Sequence, residues 1–547
     1  MRRGNRTMDF IANVADAHFE GAVAVIADAH FYDPACDFGV NGQVAGGGGK
    51  SLRPWQDTRA AARVYNESRA ALEAALEMVI ARGIRHVVLL GDYTDDGQTA
   101  LTEALATMLR GYAGRLAFYA IPGNHDLYAT HGKHQSMRVM ARGGGTVLVT
   151  SDAEMAAQAP GAVISPAMYC QGAVKALAPM AAFGLCRRPE YLHWETPFGR
   201  DDSLVSRVFD AVSADGSVVQ RVVDASYLVE PEAGLWLLMI DANVFEPRNG
   251  RADPARKQAF HDPSDAGWNA VLRVKPHLLA WIADVCARAG AAGKTLLVFS
   301  HYPVLDPFED VAANEAALFG RTEILRRTPL PAVATALRRA GVTHVFSGHL
   351  HVNGEVHSGS LRQTAVSALV SFPPGFKTVM AADPGLRVET VSLRQVPLDA
   401  GIAAIYGDEA RAENGAADYG GFLRAQMRRR VIERRVPQDW PEEIAAWALG
   451  ARVADLRALM GMPGREVLDA LPLGEMIADW YALRQAGGLA AEYIAAERLE
   501  LYQRLAAFGN GAAAPGTGMQ PFFARFLAVL GVSLRRMTRG DGRARPV

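Results

Sequence analysis

The sequence predicts an α/β protein of layered sheets and helices, with a helical region at its C-terminal end. Over about the first 130 residues, strand and helix signals alternate, which is typical of parallel strands in a layered domain. The composition changes near Gly401, after which Ala, Leu, Arg and Glu predominate. We therefore expect an α/β domain over residues 15–400 and a separate helical region over residues 401–547.

Short apolar runs rich in β-branched residues predict buried strands, and apolar residues spaced along one face predict helices. Gly83 is expected to end the first helix. The elements expected in the first part of the chain are strands at Ala22–Ile26, His86–Leu90 and Leu116–Ile121 and helices at Thr58–Arg82 and Thr99–Leu109.

The periodic pattern weakens over residues 143–232, which contain three consecutive glycines and several prolines. We interpret this segment as an insertion or a cap. Beyond it, the sequence predicts strands at Leu235–Ile240, Thr295–Phe299 and Thr343–Phe346, a helix at Pro276–Ala289, and β-rich segments at Val366–Val370, Thr378–Ala381 and Val388–Leu393.

The composition argues against several classes of protein. Lys and Arg total 57 against 58 Asp and Glu, so the chain lacks the basic surplus of a protein that binds nucleic acid through bulk charge. No apolar run reaches the ~18 residues that a membrane span requires. The four cysteines are too few for a disulfide scaffold and form no CxxC pair, which favours a reducing compartment. We expect a soluble, cytoplasmic protein.

Residues of metal-ligand type follow five predicted strands, at the point where each strand ends. The segments are Asp28-Ala29-His30, Gly91-Asp92-Tyr93-Thr94-Asp95, Gly123-Asn124-His125-Asp126, Ser300-His301 and Gly348-His349-Leu350-His351. The carboxyl ends of parallel strands meet at one crevice, where such sheets place their sites. In Asp28-x-His30 and His349-x-His351, side chains two residues apart in an extended segment point the same way, so both can reach one site.

A set of Asp, Asn and His gives mixed oxygen and nitrogen ligation, which suits Mn, Fe and Zn and does not suit Ca, which prefers oxygen. Each motif alone has an ordinary structural explanation, such as a turn for Gly-Asn-His-Asp or a core position for His301. Five such motifs in this order, each at a strand end, are hard to explain in that way. We therefore interpret them together as a metal site.

The ordered motifs D-x-H, G-D-x-x-D, G-N-H-D, a lone His after a strand and G-H-x-H resemble those of the calcineurin-like metallophosphoesterase family, over about residues 20–395. The resemblance implies a β-sandwich flanked by helices, a dinuclear metal centre and hydrolysis of phosphoesters. Ala27 precedes Asp28 where the family often has Ser, but that position is not a ligand. The resemblance does not cover the helical region.

The same resemblance implies two ligand sets for two divalent or trivalent transition-metal ions (Mn, Fe or Zn) that share one carboxylate. They are Asp28, His30 and His351 for one ion, Asn124, His301 and His349 for the other, and Asp92 as the bridge. Two such ions lower the pKa of a water molecule and hold the phosphoryl oxygens for in-line attack.

The His after the metal-binding Asn is not a ligand in this family, which implies that His125 acts as general acid or charge stabiliser for the leaving oxygen. Asp92 is the second catalytic candidate. Asp95 and Asp126 are expected to support the ligands or to cap turns.

Four residues are candidates for contact with the substrate phosphate: Asn124, His125, His131 and His134. For His131 and His134, an exposed helix start explains the sequence equally well. The Gly-rich stretch at residues 46–49 resembles a phosphate-binding loop, but Val44 stands where the full motif needs glycine. We expect a mobile loop near the crevice there.

Two features of the helical region remain open to more than one interpretation. The basic cluster Arg428–Arg430, Arg434 and Arg435 could bind an acidic partner, but neighbouring glutamates favour a solvated helix face. A stripe of apolar residues at helical spacing comprises Phe522, Phe523, Phe526, Leu527, Leu530 and Leu534. We expect it to dock on the protein's own core or on a second subunit, giving a homo-oligomer; the alternative is an interfacial membrane helix.

We expect a metal-dependent phosphoesterase and, within that class, a phosphodiesterase for small nucleotide-like or cyclic nucleotide diesters. A phosphomonoesterase such as a nucleotidase is the alternative among enzymes. A non-catalytic scaffold of the same fold is the alternative from another class, but it would be expected to lose ligands, and here every ligand type is present. Residues 143–232 and the helical region could roof the site and select the substrate.

Overall fold

The computed structural model describes residues 19, 21–40, 50–142, 144–309, 311–382, 385–397, 402, 406, 416, 418–511 and 516–539. The Gly-rich stretch at residues 46–49 lies outside the described residues, as do residues 15–18 at the start of the expected α/β domain and most of residues 401–417.

Strands occupy the described part of the chain up to Ser392. They are β1 (Ala22–Ile26), β2 (His86–Leu90), β3 (Ala117–Ile121), β4 (Ser136–Met140), β5 (Thr146–Thr150), β6 (Val163–Ile164), β7 (His193–Glu195), β8 (Val208–Val212), β9 (Val219–Val223), β10 (Tyr227–Glu232), β11 (Leu235–Ile240), β12 (Thr295–Ser300), β13 (His344–Ser347), β14 (Gly354–Ser358), β15 (Leu361–Ala365), β16 (Gly375–Ala381) and β17 (Leu386–Ser392).

Helices occur between the strands and make up most of the chain after residue 418. They are α1 (Trp55–Ala60), α2 (Ser68–Ala81), α3 (Thr99–Gly111), α4 (Ala153–Ala157), α5 (Ala173–Leu177), α6 (Pro263–Val274), α7 (Pro276–Ala291), α8 (Ala316–Phe319), α9 (Glu323–Arg327), α10 (Pro331–Arg339), α11 (Tyr419–Arg430), α12 (Val436–Asp439), α13 (Glu442–Gly450), α14 (Val453–Leu459), α15 (Leu473–Ala486), α16 (Ala496–Gly511) and α17 (Met519–Arg539).

Two mixed sheets form the centre of the α/β domain, with the strand orders β17-β16-β1-β2-β3 and β14-β15-β13-β12-β11-β10-β7. Strands β1, β2 and β3 are parallel, and so are β11, β12, β13 and β15. The sheets contact each other where β3 meets β11, and the Tyr227 hydroxyl donates a hydrogen bond to the Ala120 carbonyl at 3.0 Å. Residues of β1, β2 and β11 are almost all buried, as expected for strands covered on both faces. The parallel strands therefore bring their carboxyl ends to a common region.

The helix predicted over Thr58–Arg82 is wrong as a single element, because the structure divides it into α1 and α2. Between them the backbone bonds to other parts of the chain. The Val64 amide donates to the Val370 carbonyl at 2.9 Å, and the Asn66 side chain pairs with both backbone polar groups of Arg53 at 2.9 and 3.0 Å. These tertiary hydrogen bonds replace the helical ones.

One further prediction needs correction. Val366–Val370 is buried but is a loop with an isolated bridge at Ala368, so its apolar run reflects burial and not strand structure. Residues 143–232, which we interpret from the sequence as an insertion or a cap, contain β5 to β10 apart from the undescribed Gly143. Strands β7 and β10 extend the larger sheet, which ties this segment to the domain. Their short length explains the weak periodic signal.

The apolar stripe of the C-terminal helix α17 packs inside the chain. Its six residues are at most 7% exposed, and the rings of Phe522 and Phe526 lie 5.1 and 5.2 Å from those of Trp440 and Trp480. The prediction that the stripe docks on the protein's own core is confirmed, and the stripe is not available as a membrane-facing surface. Of the helices that the structure describes, none combines the length and apolar character needed to cross a membrane.

Candidate metal centre

The five predicted segments lie together at the carboxyl ends of β1, β2, β3, β12 and β13. The loop after β1 continues the pairing of β1 with β2, because the Asp28 amide donates to the Gly91 carbonyl at 3.1 Å and the His30 amide donates to the Asp92 carbonyl at 2.8 Å. The segment after β13 joins them, since the His349 amide donates to the Asp28 carboxylate at 3.0 Å. Backbone hydrogen bonds thus fix side chains from distant parts of the sequence beside one another.

The backbone of this region is strained. Among the described residues, seven non-glycine residues have positive φ angles. Five of them are candidate ligands: Asp28, His30, Asp92, His349 and His351. Such conformations cost about 1–3 kcal/mol each and persist where the surrounding structure imposes them, typically at functional sites.

Among the described residues, the side chains form three clusters, in each of which one potential ligand atom per residue lies within 4.8 Å of the others. The clusters are Asp28, His30 and His351; His30, Asp92 and His125; and Asp92, His301 and His349. Asp92 connects them, because its Oδ2 lies 3.3 Å from His301 Nε2 and 3.9 Å from His30 Nε2. Asp92, the predicted bridging ligand, therefore lies between His301 and His30.

Several buried polar atoms of this centre lack hydrogen-bond partners within the described structure. They are Nδ1 of His30, Nε2 of His301, Nδ1 of His349 and Oδ1 of Asn124. The opposite ring nitrogens of His301 and His349 are held, that of His301 by the Leu90 carbonyl at 2.9 Å and that of His349 by the Ser264 carbonyl at 3.0 Å. Anchoring of one imidazole nitrogen commonly orients the other toward a metal. The residues present fit a transition-metal site with mixed nitrogen and oxygen ligands.

The charge distribution is centred on Asp92. Burial alone would lower the pKa of His301, but the adjacent Asp92 carboxylate raises it to about 9. Burial would raise the pKa of Asp92, yet His301 and His125 hold it well below its usual range. Burial holds the pKa values of His30 and His349 well below their usual range.

His125 is positioned by two carboxylates. Its amide donates to Asp92 Oδ1 at 2.8 Å, and its ring Nδ1 lies 2.6 Å from Asp96 Oδ1. Arg63 in turn lies 3.6 Å from that Asp96 oxygen. Burial opposes protonation of His125, but Asp92 and Asp96 raise its pKa above its usual value. Sequence analysis missed the roles of Asp96 and Arg63, although Asp96 directly follows the second motif.

The two carboxylates expected in supporting roles have different partners. Asp95 accepts hydrogen bonds from Arg63 at 2.8 and 3.1 Å. Asp126 accepts from the Gly123 amide at 2.8 Å and from the Thr94 amide and hydroxyl at 2.9 and 2.8 Å, so it ties the second motif to the third. Burial and the nearby Asp92 charge raise the pKa of Asp126 to about 7.

A cavity with a volume of about 240 Å³ opens onto this centre. Besides candidate ligands, it is lined by residues of the helical region, namely Leu423, Gln426, Met427, Arg430, Arg435 and Gln485. The interpretation of the basic cluster as a solvated face is therefore wrong for Arg430 and Arg435. It holds for Arg428, which is exposed and paired with Glu475.

The cavity gives no support to two other expectations. His131 and His134 are exposed and lie outside the lining that the described residues form. Their contact with substrate stays a prediction. Within the described part of residues 143–232, likewise, no residue lines the cavity.

A protein-family model matches the part of the chain that contains the first three motif segments. Residues 21–152 match the family model of calcineurin-like phosphoesterases, a range that includes Asp28, Asp92 and His125. No curated protein matches the chain.

Some solved structures show a distant similarity. The chain is similar to a dimetal phosphatase from Danio rerio, with 13% identity, 68% of this chain and 96% of that chain covered, and a TM-score of 0.34. It is also similar to phosphopantetheinyl hydrolase from Mycobacterium tuberculosis, with 12% identity, coverages of 64% and 90%, and a TM-score of 0.24. At TM-scores below 0.5, these similarities have no bearing on the activity of this chain. On this match, residues 21–152 have the sequence of a calcineurin-like phosphoesterase domain.

Proposed function

We propose that the protein hydrolyses small phosphodiesters of nucleotide-like or cyclic nucleotide type at a dinuclear centre of Mn, Fe or Zn. One observation carries the proposal: buried atoms of His349 and Asn124 lack hydrogen-bond partners within the described structure, close to the contact between His301 and the Asp92 carboxylate at 3.3 Å. Leaving such atoms unsatisfied costs about 1–3 kcal/mol each. Cations between these groups would satisfy them.

In the proposed ligand sets, Asp28, His30 and His351 would hold one ion, Asn124, His301 and His349 would hold the other, and Asp92 would contribute to both. The close spacing of the Asp and His side chains supports these sets, and the buried, unpartnered Oδ1 supports the inclusion of Asn124. When bound, the ions would lower the pKa of the attacking water and polarise the phosphoryl oxygens. The protein keeps the ligands in place through the backbone hydrogen bonds of the loops after β1, β2 and β13.

His125 is proposed to donate the proton to the leaving oxygen. Its Nδ1 is engaged by Asp96, which leaves Nε2 as the ring atom available to the substrate, and His125 lines the cavity. Asp96 fixes the tautomer and orientation of the ring, as a carboxylate commonly does for a catalytic imidazole. Neither residue needs to bind a metal for this role.

The shape of the cavity supports a small substrate. Both the α/β domain and the helical region contribute walls, and Ile324, Leu350 and Phe372 offer apolar surface to the organic part of an ester. A monoester is the second candidate, because arginines outnumber carboxylates in the lining and a phosphomonoester carries two negative charges.

Parallel assays on bis(p-nitrophenyl) phosphate and p-nitrophenyl phosphate, each with Mn²⁺, Fe²⁺ or Zn²⁺, test the proposal. We expect a kcat/KM at least about tenfold higher for the diester, equivalent to about 1.4 kcal/mol. A preference for the monoester would contradict the diester assignment while leaving the hydrolase class intact. The Asp92→Asn variant is the control for background hydrolysis.

We also propose a domain boundary near residue 400, supported by the end of the last strand at Ser392 and the start of α11 at Tyr419. Residues 143–232 are proposed as an insertion within the α/β domain. A cytoplasmic location is consistent with the four cysteines, which are free thiols.

A further inference from the structure

Positive charge exceeds negative charge in the walls of the cavity. Its lining contains four arginines and two carboxylates: Arg63, Arg327, Arg430 and Arg435 against Asp92 and Glu323. A phosphodiester carries one negative charge, and the two proposed cations would already offset it at the candidate metal centre. The positive charge of the arginines is therefore greater than a single phosphodiester group requires.

Arg430 differs from the other three arginines. Arg63 pairs with Asp95 at 2.8 Å, and Arg327 and Arg435 share Glu323 at 2.7 and 3.1 Å. The side chain of Arg430 makes no hydrogen bond or ion pair with the residues that the structure describes, and its Nε is buried without a partner. Its guanidinium lines the cavity with no described carboxylate at ion-pair distance, although the more distant charges of Glu323 and Asp439 act on it.

The surroundings of Arg430 are unfavourable for its own charge. Burial and the like charges of Arg435 and Arg434 lower its pKa to about 10. A charge that is largely removed from water is costly unless it is paired. The planar guanidinium fork matches the geometry of a phosphate group, to which it can donate two parallel hydrogen bonds. A bound phosphate would supply the missing counter-charge.

Helix α11 is fixed in the position that this role requires. Gln426 Nε2 donates to the Thr58 carbonyl at 2.7 Å and approaches the Arg63 carbonyl at 3.3 Å. Arg430 follows Gln426 by four residues, so the two side chains lie on the same face of the helix. The face that docks on the loop beside the candidate metal centre is thus the face that carries Arg430 into the cavity.

We propose that Arg430, assisted by Arg435, binds a second phosphate of the substrate, apart from the phosphodiester that lies at the candidate metal centre. This inference rests on the proposed function and narrows its substrate to a small diester that bears a further phosphate group. It also gives the helical region a role in choosing the substrate.

A ligand series with variable spacing tests the proposal. The ligands are alkanediol bisphosphates with two to six methylene groups, each compared with the alkyl monophosphate of the same length. Binding to the metal-loaded protein is measured by calorimetry, and inhibition of bis(p-nitrophenyl) phosphate hydrolysis is measured in parallel. The variants are Arg430→Gln and, as a matched control on the same helix, Arg428→Gln, whose arginine is exposed and paired with Glu475.

In the wild-type protein and in Arg428→Gln, we expect at least one bisphosphate to bind about tenfold or more tightly than its monophosphate. In Arg430→Gln, that advantage should disappear while monophosphate affinity is retained. The proposal is overturned if no spacing gives an advantage, or if Arg430→Gln weakens mono- and bisphosphates equally, because Arg430 would then contact the reacting phosphate or act only on structure. Bisphosphate selectivity that is lost in Arg430→Gln, without any diester hydrolysis, would refute the proposed function and the diester substrate but would still support a second phosphate site at Arg430.

Discussion

The contact between His125 and Asp96 leads to a quantitative prediction about leaving groups. Their 2.6 Å separation, with side chains only 26% and 32% exposed, is that of a charge-assisted hydrogen bond, worth about 1.5–3 kcal/mol. Asp96→Asn removes the charge but keeps the shape. If this hydrogen bond stabilises the transition state by orienting His125 and keeping it protonated, kcat of the Asp96→Asn variant should fall about 10- to 100-fold. His125→Ala should cost more, about 10²- to 10⁴-fold.

The assay compares bis(p-nitrophenyl) phosphate with diphenyl phosphate, whose leaving phenolate is more basic and needs the proton more. Both variants should lose more activity on diphenyl phosphate. The double variant should be no slower than His125→Ala alone, because Asp96 acts through the ring that is then missing. Equal losses on the two substrates, or additive losses in the double variant, would refute the role of His125 as the proton donor.

Three other predictions concern metal retention and stability. Chelation should abolish hydrolysis and lower the free energy of unfolding by about 2.7 kcal/mol relative to protein with metal at a hundred times its Kd, as measured by denaturant titration. Gly91→Ala should reduce bound metal in elemental analysis, because Gly91 has a φ of 78° and an added Cβ would lie 2.5 Å from His301 Nδ1; full metal content would contradict this. Arg484→Met should destabilise the protein by about 3–5 kcal/mol because it leaves the buried Glu315 carboxylate unpaired. Adding Glu315→Met should recover most of that loss, and a double variant as unstable as the single one would show that the ion pair is not the cause.

The parallel core of the fold could be predicted because its signals are local. Strands β1, β2 and β11 coincide with runs such as Ala22–Ile26, whose burial on both faces leaves a continuous apolar stretch in the sequence. The break between α1 and α2 could not be predicted, since it depends on the Val64 hydrogen bond to Val370, about three hundred residues further along. Helical periodicity carries no information about such a contact.

The candidate ligands were predictable for a similar reason. Each follows a strand within a short motif, and parallel strands bring such ends together. A contribution of the helical region to the roof of the site could be predicted, but the residues that supply it could not. Arg430 sits in an arginine-rich stretch that is typical of a solvated helix, and Gln426, one turn before it, docks on the Thr58 carbonyl. Asp96 could have been proposed from its position next to the second motif, but the choice between Asp95 and Asp96 as the partner of His125 depends on loop geometry.

The central claim is that two metal ions share the carboxylate of Asp92. Crystals of the protein prepared with Mn²⁺ and measured at the manganese absorption edge test it directly. The account predicts two anomalous peaks about 3.5–4 Å apart, one on the side of Asp28 and His351 and one on the side of His301 and His349, with Asp92 between them. The absence of peaks, a single peak, or peaks that do not contact Asp92 would contradict it.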